Sequence, residues 1–307
     1  MLFTNVFGVK MGIHFTNNKK LIAYIALISA VVFWGIIPPF NKIMLESYSP
    51  MIYVGAGSLV AFLAMIPMST KSFKLLDKTY LKTALPTGII WALAEIFYII
   101  GLNYTTPAKA ALYENCTVII VPILLVLMGT KQNVWKFIAA IVCFVGIGIV
   151  GFQGDPKELF SFTIGDLLIF LAGVCYGVDI VNSKRFLDNI DAKLYMLIRL
   201  AVLGVMAIGG AFIFEVVRFS FEWWHLLLLF VLQLIAKAFC WTMRNYGLKH
   251  LDANICSLMM PFSAIIAGVI SICMGMDALS WQLIVGTILI FIALFMSEIE
   301  KPKMLKK

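Results

Sequence analysis

Charge is what this chain has least of. Of its 307 residues only 13% are Asp, Glu, Lys or Arg, against the ~25% usual in a soluble domain. That shortage excludes a large solvated surface. Histidine is scarce too: His14, His225 and His250 are the whole supply, and all fall at the edges of apolar runs or outside them. No G-x-S-x-G, H-E-x-x-H or P-loop pattern occurs, so hydrolase, zinc-protease and nucleotide-driven pump chemistries have no foothold. An intramembrane aspartyl protease needs two Asp residues on neighbouring helices, and Asp179 is the only one well inside a span. No metal or cofactor site is expected. The six cysteines, Cys116, Cys143, Cys175, Cys240, Cys256 and Cys273, form no CxxC pair and fit polarisable packing residues inside helices.

Apolar residues fill the place of the missing charge. They make up 62% of the chain, and the mean hydropathy is +0.98. Ten apolar segments stand apart, near 21–45, 50–69, 81–103, 106–128, 134–152, 164–185, 194–215, 223–247, 252–274 and 280–297. At 1.5 Å per helical residue each can cross a hydrocarbon core of about 30 Å. The pattern predicts an all-α integral membrane protein with ten transmembrane helices and short connections. The first apolar run is too long for a cleaved signal and ends without a small-residue cleavage site, so it is expected to stay in the mature protein.

The few charges are not evenly spread. With the N-terminus inside, one side collects Lys10, Lys19, Lys20, Lys71, Lys74, Lys78, Lys82, Lys131, Lys136, Lys184, Arg185, Lys193, Arg244, Lys249, Lys301, Lys303, Lys306 and Lys307. The other side has Lys109, Lys157 and Arg218, a ratio of 18 to 3. Cytoplasmic loops retain positive charge, so both termini are expected in the cytoplasm: a leader over 1–20 and a basic tail over 298–307. The net charge of +8 is thereby a topology signal. No basic residues interleave with aromatics on a soluble face, so nucleic acid is not an expected partner.

The two halves share a pattern. Trp34-Gly35 with Lys42 corresponds to Tyr176-Gly177 with Lys184, 142 residues on, and Gly101-Leu102 to Gly247-Leu248, 146 residues on. A near-constant offset at equivalent span positions marks a tandem repeat, over 21–152 and 164–297. Five helices is an odd number, so the second copy enters the membrane inverted. Inverted repeats place a central cavity near the midplane at their interface, which is the architecture of alternating access.

Ionisable residues deep in a span are functional candidates, because each costs about 2.5–3.5 kcal/mol to insert. Glu95 and Glu114 lie at about the same depth, as do Asp179 and Lys237, counted at ~1.5 Å per residue. Equal depth suggests an acid pair able to share a proton and an acid–base pair joining the sixth and eighth spans. Trp34 and Trp241 are candidates for an aromatic face holding a cationic amine. Asn115 completes the candidate set for substrate binding or coupling. Pro38-Pro39, Pro122 and Pro261 remove backbone donors and are expected to bend their spans.

Phe33-Trp34-Gly35 with Lys42, Gly165-Asp166-Leu167-Leu168 at the start of the sixth span, and Gly101-Leu102-Asn103-Tyr104-Thr105-Thr106 followed by Lys109-Ala110-Ala111 and Val121-Pro122 carry a resemblance. So does Leu258-Met259-Met260-Pro261 with Asp277 and Gly286. These segments resemble EamA-type members of the drug/metabolite transporter superfamily, from about Leu21 to Ser297. The resemblance implies ten helices, cytoplasmic termini and secondary transport of amino acids, nucleosides, amines, drugs or related metabolites across a cell membrane; the acid pair of Glu95 and Glu114 makes the proton a candidate coupling ion. Competing readings are a flippase for a lipid-linked substrate, a membrane enzyme, and a non-transporting scaffold or sensor.

Overall fold

In the computed structural model, residues 18–105, 107–151, 163–187, 190–273 and 280–297 are described. The leader before Asn18, the tail after Ser297 and Asp277 lie outside them. Among the described residues every regular element is helical.

Two helices, α1 (Asn18–Ile36) and α2 (Pro38–Ser47), occupy the first apolar segment. The break falls at Ile37, as expected ahead of a proline: Pro38 has no N–H to give the preceding turn and starts the next helix instead. A single helix, α3 (Pro50–Ser69), follows, then a 3₁₀ turn at Ser72–Leu75 and α4 (Lys78–Gly101). Asp77 starts α4 by accepting from the Tyr80 N–H at 2.6 Å. The fourth segment is again split, into α5 (Pro107–Glu114) and α6 (Thr117–Leu127), and α7 (Val134–Gly151) closes the first half.

Long helices α8 (Ile164–Leu187) and α9 (Ala192–Phe214) open the second half. Asp191 caps α9, accepting from Lys193 and Leu194 at 3.0 Å. The eighth segment runs through α10 (Trp223–Gln233), a π-helical stretch Leu234–Cys240, and α11 (Trp241–His250). Next, α12 (Ala253–Met259) and α13 (Phe262–Cys273) flank a break at Met260-Pro261, and α14 (Trp281–Ser297) ends the described chain.

Eight of these stretches are long and apolar enough to cross a membrane. The apolar helices Val134–Val150 and Trp281–Ser297 are shorter. The outward faces of the spans carry bare hydrocarbon, including Leu63 of α3 at 63% exposure and Val205 of α9 at 71%, as a lipid-facing surface must.

Glycine sets the closest helix approaches. A Cβ on Gly286 of α14 would lie 2.5 Å from the Gly146 carbonyl of α7, and one on Gly165 of α8 would lie 2.7 Å from the Gly101 carbonyl of α4. Lipid gives helices no hydrophobic reason to associate, so such contacts hold them by dispersion between backbones.

Each end of the bundle is tied by polar contacts. At one end the Tyr80 hydroxyl donates to Asp191 O at 2.7 Å, Lys184 to Lys249 O at 3.0 Å, and Lys136 pairs with Asp252 at 2.9 Å. At the other, Tyr48 donates to Ser220 O at 2.9 Å, and the Glu215 carboxylate accepts from the Met51 N–H at 3.1 Å. Lys109 is also at this end. The sequence counts it as a loop charge, yet it sits in α5, is 7% exposed and pairs with the fully buried Asp166 at 3.2 Å, to which Thr105 also donates.

Candidate functional site

The chain break between α5 and α6 is not made by proline. Pro122 sits inside α6, and the interruption comes at Asn115-Cys116. There the backbone tightens to i→i−3 bonds, Cys116 N–H to Tyr113 O and Val118 N–H to Asn115 O. The Asn115 side-chain amide takes the Ala111 carbonyl at 2.8 Å. A side chain that bonds back onto its own helix bends it, and this one leaves Glu114 at the tip of α5.

That tip borders a cavity of about 210 Å³ in the middle of the bundle. Trp34 of α1, Asn41 of α2, Tyr53 of α3, Glu95 and Tyr98 of α4, and Glu114 and Asn115 line one part of it. Tyr176 of α8, Gln233, Lys237 of the π stretch, Trp241 and Arg244 of α11, with Thr117 and Ser263, complete the polar lining. Six of the seven expected site residues therefore meet around one space. Asp179 does not line it.

The charge pairing differs from the depth-matched expectation. Lys237 bonds to Glu95 of α4, and both are buried. Asp179 is held by two arginines instead: Arg199 Nη2 lies 2.8 Å from Oδ1 and Arg244 Nη2 lies 3.2 Å from Oδ2, all three residues at most 2% exposed. The expected Asp179–Lys237 pair is thus replaced by two separate ones. The reason is local. A π turn carries an extra residue and re-aims the side chains around it, and Lys237 is at the centre of this one. The acid pair changes character as well. Glu95 already has a cation, while Glu114, whose charged neighbours are Glu95 and Lys237, has no ion-pair partner of its own among the described residues.

Trp241 is the hub of the aromatic groups. Its ring lies 5.2 Å from Trp34 and 5.0 Å from Trp91, both edge-on, and 6.0 Å from Tyr176 in a stacked arrangement. The expected aromatic face for a substrate amine holds the protein's own cations. Arg244 lies 5.0 Å from the Trp241 ring centre, Arg199 4.7 Å from that of Trp91, and Lys237 5.6 Å from that of Trp91.

Sequence reasoning passed over Arg199, Arg244, Asn41 and Tyr53. Arg199 interrupts the apolar run Tyr195–Leu203, and that interruption was a usable signal. Arg244 lies near a span end and reads as a loop charge, although it is 2% exposed. Tyr53 donates to Asn41 at 2.6 Å, a pairing that no local pattern announces.

A helical bundle with an apolar outer face, a polar cavity and buried internal ion pairs defines a polytopic membrane protein. The profile of the EamA-like transporter family matches residues 21–152 and 163–298. The chain belongs to this family and is a membrane transporter. Among its relatives is the uncharacterized transporter YyaM of Bacillus subtilis, 23% identical over 89% of this chain and 92% of that protein. Another is an uncharacterized transporter of Archaeoglobus fulgidus, 22% identical over 90% and 85%. A solved crystal structure of a protein superposes with a TM-score of 0.72 at 15% identity, covering 91% of this chain and 96% of the other; that likeness is one of fold.

Proposed function

We propose that this chain is a secondary active transporter of small polar or amphipathic metabolites such as amino acids, amines or nucleosides. It works by alternating access between two inverted five-helix repeats, 21–152 and 164–297, with ten spans and both termini on the cytoplasmic face of the plasma membrane. The observation that carries the reading is the cavity. It is lined by the buried charges Glu95, Lys237 and Arg244, and it lies where α5 gives way to α6 and α12 to α13, the kind of broken helix found at transporter binding sites.

Corresponding close approaches support the inverted arrangement. A Cβ on Gly35 would lie 2.6 Å from Ile266, and one on Gly177 would lie 2.7 Å from Ile120. The glycines are 142 residues apart and their neighbours 146, the two offsets already visible in sequence. The breaks at Asn115-Cys116 and Met260-Pro261 are 145 apart, close to both. The joining of the basic loops at one end through Tyr80–Asp191 and Lys184–Lys249 supports the charge-based orientation.

In this mechanism Glu114 is the coupling or ammonium-binding carboxylate, since Glu95 is engaged by Lys237. A cavity of about 210 Å³ fits a small metabolite better than a lipid-linked substrate. The test is uptake of labelled amino acids, amines and nucleosides into proteoliposomes, with and without a pH gradient. Wild type is expected to accumulate at least one of them. Glu114→Gln is expected to abolish that uptake or flatten its pH dependence while leaving expression and Tm nearly unchanged. An unaltered rate and pH profile in Glu114→Gln would overturn the role of Glu114, and no uptake by wild type would overturn the transport reading.

A further inference from the structure

The interior charges do not balance locally. Lys237 and Glu95 neutralise each other, but Asp179 alone faces Arg199 and Arg244, and the carboxylate left to balance the second arginine is Glu114, which lines the same cavity without pairing to it. Buried charge is tolerated only when compensated. Within the cluster Arg199 Nη2 and Arg244 Nη2 take the two Asp179 oxygens, Ser183 Oγ joins at Oδ1, and Arg199 Nε is left without a partner among the described residues. Of the two guanidinium groups, Arg199 is fully buried against Trp91 and Tyr195. Arg244 lines the cavity, stacks on Trp241, and donates from Nη1 to Asn245 Oδ1 at 3.0 Å.

A second buried group points to a ligand in the same space. Gln233 lines the cavity, is 2% exposed, and its Oε1 has no hydrogen-bond partner. A buried acceptor left open asks for a donor. The cavity therefore offers a cation at Arg244 and, at Glu114, an acceptor without its own cation among the described residues, while the unpaired Gln233 Oε1 lies against Gly57 of α3.

We infer that Arg244 is the anion-binding residue of the transport cavity, held in place by Asp179, and that the substrate carries an anionic group such as a carboxylate together with an N–H donor. The guanidinium fork suits this task because it stays charged when buried and can grip a carboxylate through two parallel bonds. The Asp179 carboxylate and the Trp241 face orient it, and the bound anion supplies the charge that Asp179 cannot supply to both arginines. A substrate with an anion at Arg244 and an N–H donor at Glu114 satisfies both groups at once, and amines or esters that lack the anion satisfy only one. The inference rests on the cavity being the transport site.

The full-length protein in detergent tests this through quenching of tryptophan fluorescence, since Trp34 and Trp241 line the site and Trp91 packs against Trp241. The probes are a panel of free amino acids and the methyl ester of each, which keeps the ammonium group and loses the carboxylate. At least one acid is expected to bind at least about tenfold tighter than its ester. Arg244→Gln is expected to erase that ratio. Arg244→Lys, which keeps the charge and so the fold, is expected to weaken it. Esters binding as tightly as acids, quenching by none of the acids, or a ratio unchanged in a folded Arg244→Lys would overturn the assignment. Uptake of the same panel into proteoliposomes separates the two readings. Acid-selective binding without uptake leaves the anion site standing and sinks transport, and equal uptake of acids and esters does the reverse.

Discussion

Glu95 and Lys237, at 6% and 7% exposure, cannot be altered singly without leaving an uncompensated ion, which costs about 3–5 kcal/mol in a buried setting. From sequence alone Glu95→Gln looks harmless to stability. With Lys237 bonded to it, Glu95→Gln is expected to lower Tm clearly, and the double change Glu95→Leu with Lys237→Met to lower it less; thermal denaturation in detergent of all three variants decides. Asp252 shows the opposite balance at the end of the bundle. Burial favours its neutral form, but the Lys136 ammonium and the Asn254 N–H outweigh this and hold the carboxyl below its ordinary 3.8. A folded value below the unfolded one means stability that is present above 3.8 and lost as pH falls through the folded value. Asp252→Asn is therefore expected to lower Tm at neutral pH, with the gap to wild type closing in melts run below the ordinary carboxylate range. The presence of Glu95, Glu114, Asp179 and Lys237 in apolar runs was legible as a list of expensive residues. Their partners were not, because equal depth constrains one coordinate and pairing needs the rotation of each helix as well.

Among the elements, the interruptions and the glycine contacts matter most. The break at Ile37 and the one at Met260-Pro261 follow from proline chemistry. The break at Asn115 and the π stretch at Leu234–Cys240 leave no such trace, since each is a compromise between a helix's own hydrogen bonds and the neighbours it must fit. Glycine position is informative only once the partner is known. Gly286→Ala would push a methyl to 2.5 Å from the Gly146 carbonyl, whereas a Cβ at Gly209 meets nothing within 4 Å. Backbone cannot move aside cheaply, so Gly286→Ala is expected to cost about 1–3 kcal/mol and Gly209→Ala close to nothing. Parallel melting curves of the two alanine variants test the α7–α14 contact directly.

Taken as a whole, the molecule is a bundle with one basic end. Single cysteines at Lys71 and Lys193 in a background free of native cysteine are expected to label with an impermeant thiol reagent from the same side, and one at Arg218 from the other. Labelling of the first two from opposite sides would break both the orientation and the inverted repeat. The amino-acid sequence by itself determined that the chain is a helical membrane protein, because hydropathy over about twenty residues and the absence of charge are local sums that no packing can reverse. It also determined the family resemblance and which costly residues lie in the spans. Tertiary structure alone decided that Lys237 answers to Glu95, that Asp179 answers to Arg199 and Arg244, and that Trp241 stands between them. Those choices depend on which faces of α4, α8, α9 and α11 meet, a three-dimensional outcome of glycine contacts, one π turn and one asparagine-bent helix.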